Sequence, residues 1–183
     1  MTRYATPPVI QVLEHPDAAP MVFAQWFASL AVLMRAQTIV EAGTFLGHIP
    51  LATSVGLRVA QIPHHIWSAD IYDHGAAAEV AKANFSDTIT VCQQDFTEML
   101  AERIGEQSID LAFIDSGPAR DFRDIPPNTR WNHYQAVWPY MKHGGLIVVD
   151  DTQHEANWAH VDEIRKAGTT LYHARACTLI EVP

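Results

Sequence analysis

A glycine-framed segment, TIVEAGTFLGHIPLA over residues 38–52, has the residue types of a nucleotide-binding turn. An apolar run ends at Glu41, and Gly43 and Gly47 then frame a tight turn into a helical segment. Glycine lets the backbone approach a ligand closely, as in nucleotide sites at strand ends. Asp70 follows about 23 residues after Gly47, at the end of the next apolar run, where a carboxylate can accept both hydroxyls of a ribose. The GxGxxG pattern of dinucleotide sites is absent, so an ordinary strand-to-helix turn stays the alternative.

Three further carboxylates follow two later apolar runs. Asp115 ends IDLAFID, and Asp150 and Asp151 follow GLIVV. If these runs are neighbouring parallel strands, their ends share one rim, where three negative charges repel one another unless they are protonated or neutralised. Oxygen ligands suit Mg²⁺ or another divalent cation, and a hydroxyl bound to such a cation loses its proton more easily. The structural alternative is that Asp150 faces the rim and Asp151 caps the next helix.

The elements that must position these groups alternate along the chain. Helices are predicted over 20–35, 48–60, 76–85, 96–104, 131–142 and 156–167, and strands over 38–42, 65–70, 89–93, 109–115, 145–150, 169–173 and 177–182. Strands that alternate with helices imply right-handed crossovers and a parallel sheet. The last two strands leave no room for a helix between them, so they must form an antiparallel hairpin. The predicted fold class is therefore α/β, a doubly wound, mostly parallel seven-stranded sheet of Rossmann-like type with a C-terminal antiparallel hairpin strand.

Composition narrows the class of protein. The 183 residues fit one domain, with a lead-in and helix over 1–37 and a cofactor-binding core over 38–183. A net charge of −9 without a basic run argues against nucleic acid, and no apolar run reaches membrane-spanning length. Two cysteines without CxxC spacing favour a reducing cytoplasm. The apolar helix over 21–34 has little polar face, so it either packs across the sheet edge or forms a homodimer.

Five segments, in this order, resemble the motifs of class I S-adenosylmethionine-dependent methyltransferases. Residues 41–47 look like the first motif, Asp70 resembles the ribose-binding acid, and Gln94-Asp95-Phe96 resembles the segment beside the adenine. Residues 109–115 and 142–151 resemble the fourth motif and the segment that follows it. The resemblance implies S-adenosylmethionine as the cofactor. It implies these cofactor-binding residues: Glu41, Gly43, Thr44, Phe45, Gly47, Asp70, Asp95, Phe96 and Asp115.

Within this class the chain is most similar to small-molecule O-methyltransferases of the catechol and sugar type. That similarity implies methyl transfer to the hydroxyl of a small molecule, with Mg²⁺ held by Asp115, Asp150 and Asp151. It also implies a catalytic role for Asp115. The absence of a [DN]-P-P-[YF] motif disfavours methylation of amino groups.

One position departs from the pattern of these enzymes. They usually carry Lys or His three residues after the fourth-strand Asp, as the general base, and here that position is Pro118. His133 and His154 are therefore the predicted bases, although a lone His such as His133 is more often a surface residue.

Alternatives to this reading of the base and of the function stay open. His48, Arg120 or a metal ion alone can supply the activation. A protein that binds S-adenosylmethionine without catalysis, or with a regulatory role, is the alternative function. A nicotinamide-dependent enzyme is a weaker one, because GxGxxG is missing.

Overall fold

Alternating strands and helices build one sheet that is covered on both faces. The computed structural model describes residues 21–116, 129–150, 169–173 and 177–183. In these ranges the helices are α1 (Met21–Met34), α2 (His48–Val59), α3 (Ala76–Lys82), α4 (Phe96–Arg103), α5 (Thr129–Val137) and a 3₁₀ helix (Trp138–Tyr140). The strands are β1 (Thr38–Ala42), β2 (His65–Asp70), β3 (Ile89–Gln93), β4 (Ile109–Ile114), β5 (Met141–Asp150), β6 (Thr169–His173) and β7 (Cys177–Glu181).

The strands lie in the order β3-β2-β1-β4-β5-β7-β6. The first five pair in parallel, and β7 is antiparallel to both β5 and β6. This confirms the predicted fold class, including the terminal hairpin. The chain order reverses where β1 lies between β2 and β4, and ligands of doubly wound sheets bind at the carboxyl ends of strands beside such a reversal.

Two apolar clusters explain why β1 and β4 carry apolar residues on both faces. Alternate residues of a strand point to opposite faces, so a strand buried on both faces has no polar side. Along β1, Ile39 belongs to the cluster under α1 and α2, whereas Val40 belongs to the cluster under α4 and α5. In β4, Phe113 and Ile114 divide in the same way.

The predicted helix over 131–142 is wrong at its end. α5 ends at Val137, a 3₁₀ turn follows, and β5 already begins at Met141. Pro139 explains this, because proline has no N–H to donate and its ring clashes with the preceding helical turn. Met141 then pairs with Ile109 of β4. The predicted helix over 156–167 lies outside the described residues.

The apolar helix α1 packs against the protein's own core. The rings of Phe23 and Phe27 lie 5.6 and 5.1 Å from the ring of Phe113 in β4. A Cβ on Gly56 of α2 would lie 3.4 Å from Val32, so α1 and α2 approach closely. Burial inside the chain accounts for most of the apolar surface of α1, and the homodimer stays a prediction. Among the described helices, none has the length and apolar character needed to cross a membrane.

Candidate functional site

The turn between β1 and α2 contains three residues with left-handed backbone angles. Gly43, Phe45 and Gly47 have φ angles of +95°, +45° and +78°. The amide of Gly47 donates to the carbonyl of Thr44 at 2.8 Å. A Cβ on Gly43 would lie 2.6 Å from the carbonyl oxygen of Asp115, just after β4. Glycine is therefore required here because the backbone beyond the neighbouring strand passes so close.

Asp70 ends β2 and ties this turn to the rim of the sheet. Its Oδ2 accepts a hydrogen bond from the amide of Phe45 at 3.0 Å, and its Oδ1 accepts one from the amide of Tyr72 at 3.0 Å. A carboxylate has about four lone-pair sites, so each oxygen keeps the capacity to accept one more donor. Asp70 is half-buried, and it can therefore hold the turn and still meet a ligand.

A buried row of polar side chains lies beneath the turn. Ser68 of β2 donates to Oε2 of Glu41 in β1, and the hydroxyl oxygens of Ser68 and Thr44 are 2.6 Å apart. Burial raises the pKa of Glu41 well above its usual value, although the hydrogen bond from Ser68 acts to lower it. The sequence did not single out Ser68, because nothing in HIWSAD marks one serine as the partner of a distant glutamate.

A second row joins the end of β4, helix α5 and the start of α4. Oγ of Ser116 lies 2.5 Å from Nδ1 of His133, and Nε2 of His133 lies 3.5 Å from Oδ2 of Asp95. His133 is only 7% exposed, and its ring centroid lies 5.2 Å from that of Phe96. His133 is therefore not the surface residue that the sequence left open. The sequence analysis missed Ser116, whose only signal was its position directly after Asp115.

The charges in this second row favour a neutral imidazole beside an ionised carboxylate. Burial lowers the pKa of His133, and the Arg130 charge acts in the same direction, while Asp95 acts to raise it. Burial acts to raise the pKa of Asp95, but hydrogen bonds from Thr97 and the neighbouring His133 outweigh that effect and lower it. At neutral pH, His133 can therefore accept a proton, and Asp95 can stabilise the imidazolium that results.

Asp115 has a cationic partner that the sequence analysis also missed. Nη2 of Arg130 donates to Oδ1 of Asp115 at 2.9 Å. Arg130 is 6% exposed and stands in the first turn of α5, one helical turn before His133. Positions three apart lie on the same side of a helix, so the first turn of α5 brings both side chains towards the rim.

The predicted metal ligands are only partly brought together. Ile114 pairs with Val149, so Asp115 and Asp150 lie at neighbouring strand ends, as expected. Asp151 lies outside the described residues. In the part of the chain that is described, no group of three or more His, Cys, Asp or Glu side chains is placed to hold a metal ion. The described residues do not fit a divalent cation, because Asp115 already binds a guanidinium whose charge would repel it.

The other candidate bases differ from His133 in their surroundings or lie outside the described residues. His48 is the first residue of α2, it is 7% exposed, and burial lowers its pKa to about 4. His154 and Arg120 lie outside the described residues. Of the predicted bases, His133 is the one that contacts both a carboxylate, that of Asp95, and a hydroxyl, that of Ser116, among the described residues.

Residues 40–152 match the sequence model of a family described as a methyltransferase domain. The match covers more than half of the chain, and the chain belongs to this methyltransferase-domain family. The resemblance inferred from the five sequence motifs is thereby confirmed. A comparison with curated proteins finds no match.

Many solved structures share the fold. The O-methyltransferase TomG from Streptomyces achromogenes, involved in tomaymycin synthesis and solved with S-adenosylmethionine, is 18% identical, with a TM-score of 0.71 over 98% of this chain and 92% of that one. The Bacillus cereus O-methyltransferase, solved with S-adenosylhomocysteine, is 14% identical, with a TM-score of 0.71 over 99% and 93%. A Podospora anserina methyltransferase bound to S-adenosylhomocysteine is 14% identical, with a TM-score of 0.75 over 98% and 89%.

Proposed function

We propose that this protein transfers a methyl group from S-adenosylmethionine to the hydroxyl of a small molecule. The observation that carries the proposal is the Gly43–Gly47 turn, which Asp70 ties to the rim of the sheet at the reversal of strand order. This is where doubly wound folds bind nucleotide-like ligands. Family membership, and neighbours that are O-methyltransferases solved with the cofactor or its product, support the same activity.

The rim residues suit the parts of this cofactor. The half-buried carboxylate of Asp70 keeps acceptor capacity for ribose hydroxyls, and the turn offers backbone to the amino-acid portion. Asp95 and Phe96 are proposed to lie beside the adenine, as the motif resemblance implies. Glu41 and Thr44 support the turn from below through Ser68. S-adenosylmethionine, when bound, supplies a methyl group that is activated by its attachment to a sulfonium.

The protein's own residues then have to orient the hydroxyl, exclude water and accept one proton. We place the proton acceptor at His133, with Ser116 as the hydroxyl that links it to the rim. With the Nε2 proton facing Asp95, Nδ1 accepts the Ser116 hydroxyl proton while Ser116 takes the proton of the substrate. The substrate oxygen would bond to the methyl carbon as the bond between that carbon and sulfur breaks, with the neutral thioether S-adenosylhomocysteine as the leaving group. His133 becomes an imidazolium, and Asp95 balances its charge.

Binding and turnover test this proposal separately. Calorimetry with S-adenosylhomocysteine should detect binding to the wild type, and Asp70→Ala should weaken it about 10- to 150-fold, the loss expected for roughly 1.5–3 kcal/mol. Asp73→Ala is the matched control, because Asp73 is an exposed acid on the same loop that accepts a bond from Gly75 at 2.8 Å. Equal loss in both variants, or no binding to the wild type, would contradict the proposed site.

Turnover is measured with S-adenosylmethionine and a panel of phenols and sugars, with mass spectrometry of the products. His133→Gln should lower the rate 10²–10⁴-fold, as expected for loss of a general base, while cofactor affinity changes little. Cofactor binding without methyl transfer to any member of the panel would favour a silent binding or regulatory protein instead.

Two finer expectations stay predictions within this proposal. The divalent cation that the sequence analysis placed at Asp115, Asp150 and Asp151 is not among them, because the guanidinium of Arg130 already binds Asp115. A homodimer is checked by sedimentation at micromolar concentration. A cytoplasmic location is checked by fractionation of cells that express the protein.

A further inference from the structure

We propose that Arg130 takes the place that a divalent cation would occupy at this rim, so that the protein binds no catalytic metal at Asp115. The inference builds on the proposed function, because it names Arg130 as the group that balances the negative charge of Asp115 beside the proposed cofactor site. It reverses the expectation that Asp115, Asp150 and Asp151 share a magnesium ion.

The ion pair between Arg130 and Asp115 is mostly shielded from solvent. The guanidinium lies 2.9 Å from Oδ1 of Asp115, and the Arg130 side chain is 7% exposed, whereas that of Asp115 is 32% exposed. An arginine cannot lose its proton in a protein. The positive charge next to Asp115 is therefore permanent and confined to the rim.

A divalent cation on Asp115 would have to share this carboxylate with the guanidinium. The doubly charged metal ion and the singly charged guanidinium of Arg130 would then both lie against one carboxylate, which carries a single negative charge. A mostly buried charge is screened much less than an exposed one, so salt relieves this repulsion only in part. The site is better suited to one cation, and the chain supplies that cation itself.

The backbone geometry also holds the pair in place. Asp115 donates its amide to the carbonyl of Ala42 at 2.9 Å, and its own carbonyl oxygen lies 2.6 Å from where a Cβ on Gly43 would stand. Asp115 thus has a fixed backbone beside the proposed cofactor turn. Arg130 reaches it from α5, the helix that also carries His133, so one helix brings both the fixed cation and the proton acceptor.

Metal binding can be measured directly, without any assay of activity. Wild-type protein is titrated with Mn²⁺ and followed by electron paramagnetic resonance and by thermal shift, with and without S-adenosylhomocysteine. We expect no saturable Mn²⁺ binding below millimolar concentration. Saturable binding to the wild type that Asp115→Asn abolishes would overturn the inference.

Variants of Arg130 make the test sharper. Arg130→Met removes the charge and keeps a long apolar stem, and we expect it to gain saturable Mn²⁺ binding with a Kd at least 10-fold below the millimolar limit expected for the wild type. Arg130→Lys keeps a positive charge and is the matched control that should behave like the wild type. Equal Mn²⁺ affinity in all three proteins would show that Arg130 does not exclude the metal. If Arg130→Met does not fold, Arg130→Gln removes the same charge and takes its place, with the same expected gain in Mn²⁺ binding.

Activity gives an independent arm. The rate of wild-type protein treated with EDTA should equal that of untreated protein, and added Mg²⁺ should change it less than twofold. Loss of activity with EDTA and its return with Mg²⁺ would overturn the inference while leaving the proposed methyl transfer intact. If no methyl transfer is found under any condition, the proposed function fails. The Mn²⁺ titration then still shows whether a divalent cation binds at Asp115.

Discussion

Gly43 carries the strongest steric demand among the residues of the site. Its φ of +95° is a conformation that side chains rarely adopt, and its absent Cβ would overlap the carbonyl oxygen of Asp115 at 2.6 Å. The sequence indicated only that glycine here lets the backbone approach a ligand closely. The structure adds that a side chain here would meet the protein's own backbone.

Gly43→Ala should therefore reduce the free energy of unfolding as well as cofactor affinity. We expect a loss larger than the 1–2 kcal/mol that a left-handed angle alone typically costs, about 3 kcal/mol or more, measured by urea denaturation. Gly75→Ala is the matched control, because Gly75 has a φ of +84° but no atom within 4 Å of the added Cβ. Equal losses in the two variants would mean that the approach of β4 does not matter.

At the scale of single elements, Asp95 serves both helix α4 and the histidine beside it. Oδ1 accepts the amide of Thr97 at 2.8 Å and so caps the first turn of the helix. Oδ2 faces His133 at 3.5 Å. The sequence analysis assigned Asp95 to the cofactor site and did not identify it as a cap, and the contact with His133 depends on how α4 and α5 pack.

Two substitutions separate these roles of Asp95. Asp95→Ala should destabilise the protein by about 1 kcal/mol through loss of the cap, whereas Asp95→Ser keeps a capping oxygen and should cost less. Both should lower the apparent pKa of His133 further, because the carboxylate that raises it is gone. NMR titration of the imidazole measures this shift, and an unchanged pKa in both variants would show that Asp95 does not act on His133.

For the molecule as a whole, buried histidines make stability depend on pH. Burial lowers the pKa of His48, His65 and His133 from their usual value near 6.5, and that of His48 reaches about 4. The unfolded chain then binds more protons than the folded protein as the pH falls below 6.5. The contribution of these histidines to the free energy of unfolding therefore declines between pH 6.5 and about 4, whereas Glu41, whose pKa burial raises, contributes in the opposite direction.

The contribution of His48 to this decline can be isolated. One histidine shifted from 6.5 to about 4 corresponds to roughly 3 kcal/mol over that interval. His48→Gln should flatten the decline by about this amount in urea denaturation between pH 4 and 7. His143→Gln, which removes an exposed histidine of β5, is the control against which the effect of His48→Gln is compared. The same slope in all three proteins would contradict a buried neutral His48.

The sequence alone determined the order of elements, the doubly wound sheet, the terminal hairpin and the Gly43–Gly47 turn. These follow from local patterns, namely apolar runs, turn residues and spacing, which act within a few residues of one another. The wrong helix prediction at residues 138–142 also has a local cause, because Pro139 ends the helix within a segment whose other residues fit a helical pattern.

Only the tertiary structure decided which side chains meet. Arg130 reaches Asp115 from a different helix, Ser116 meets His133, and Ser68 meets Glu41 across two strands. Such pairs depend on the packing of elements that are distant in the chain, and no local pattern encodes them. For that reason the three acids suggested a metal in the sequence, whereas the folded rim places a buried arginine beside one of them.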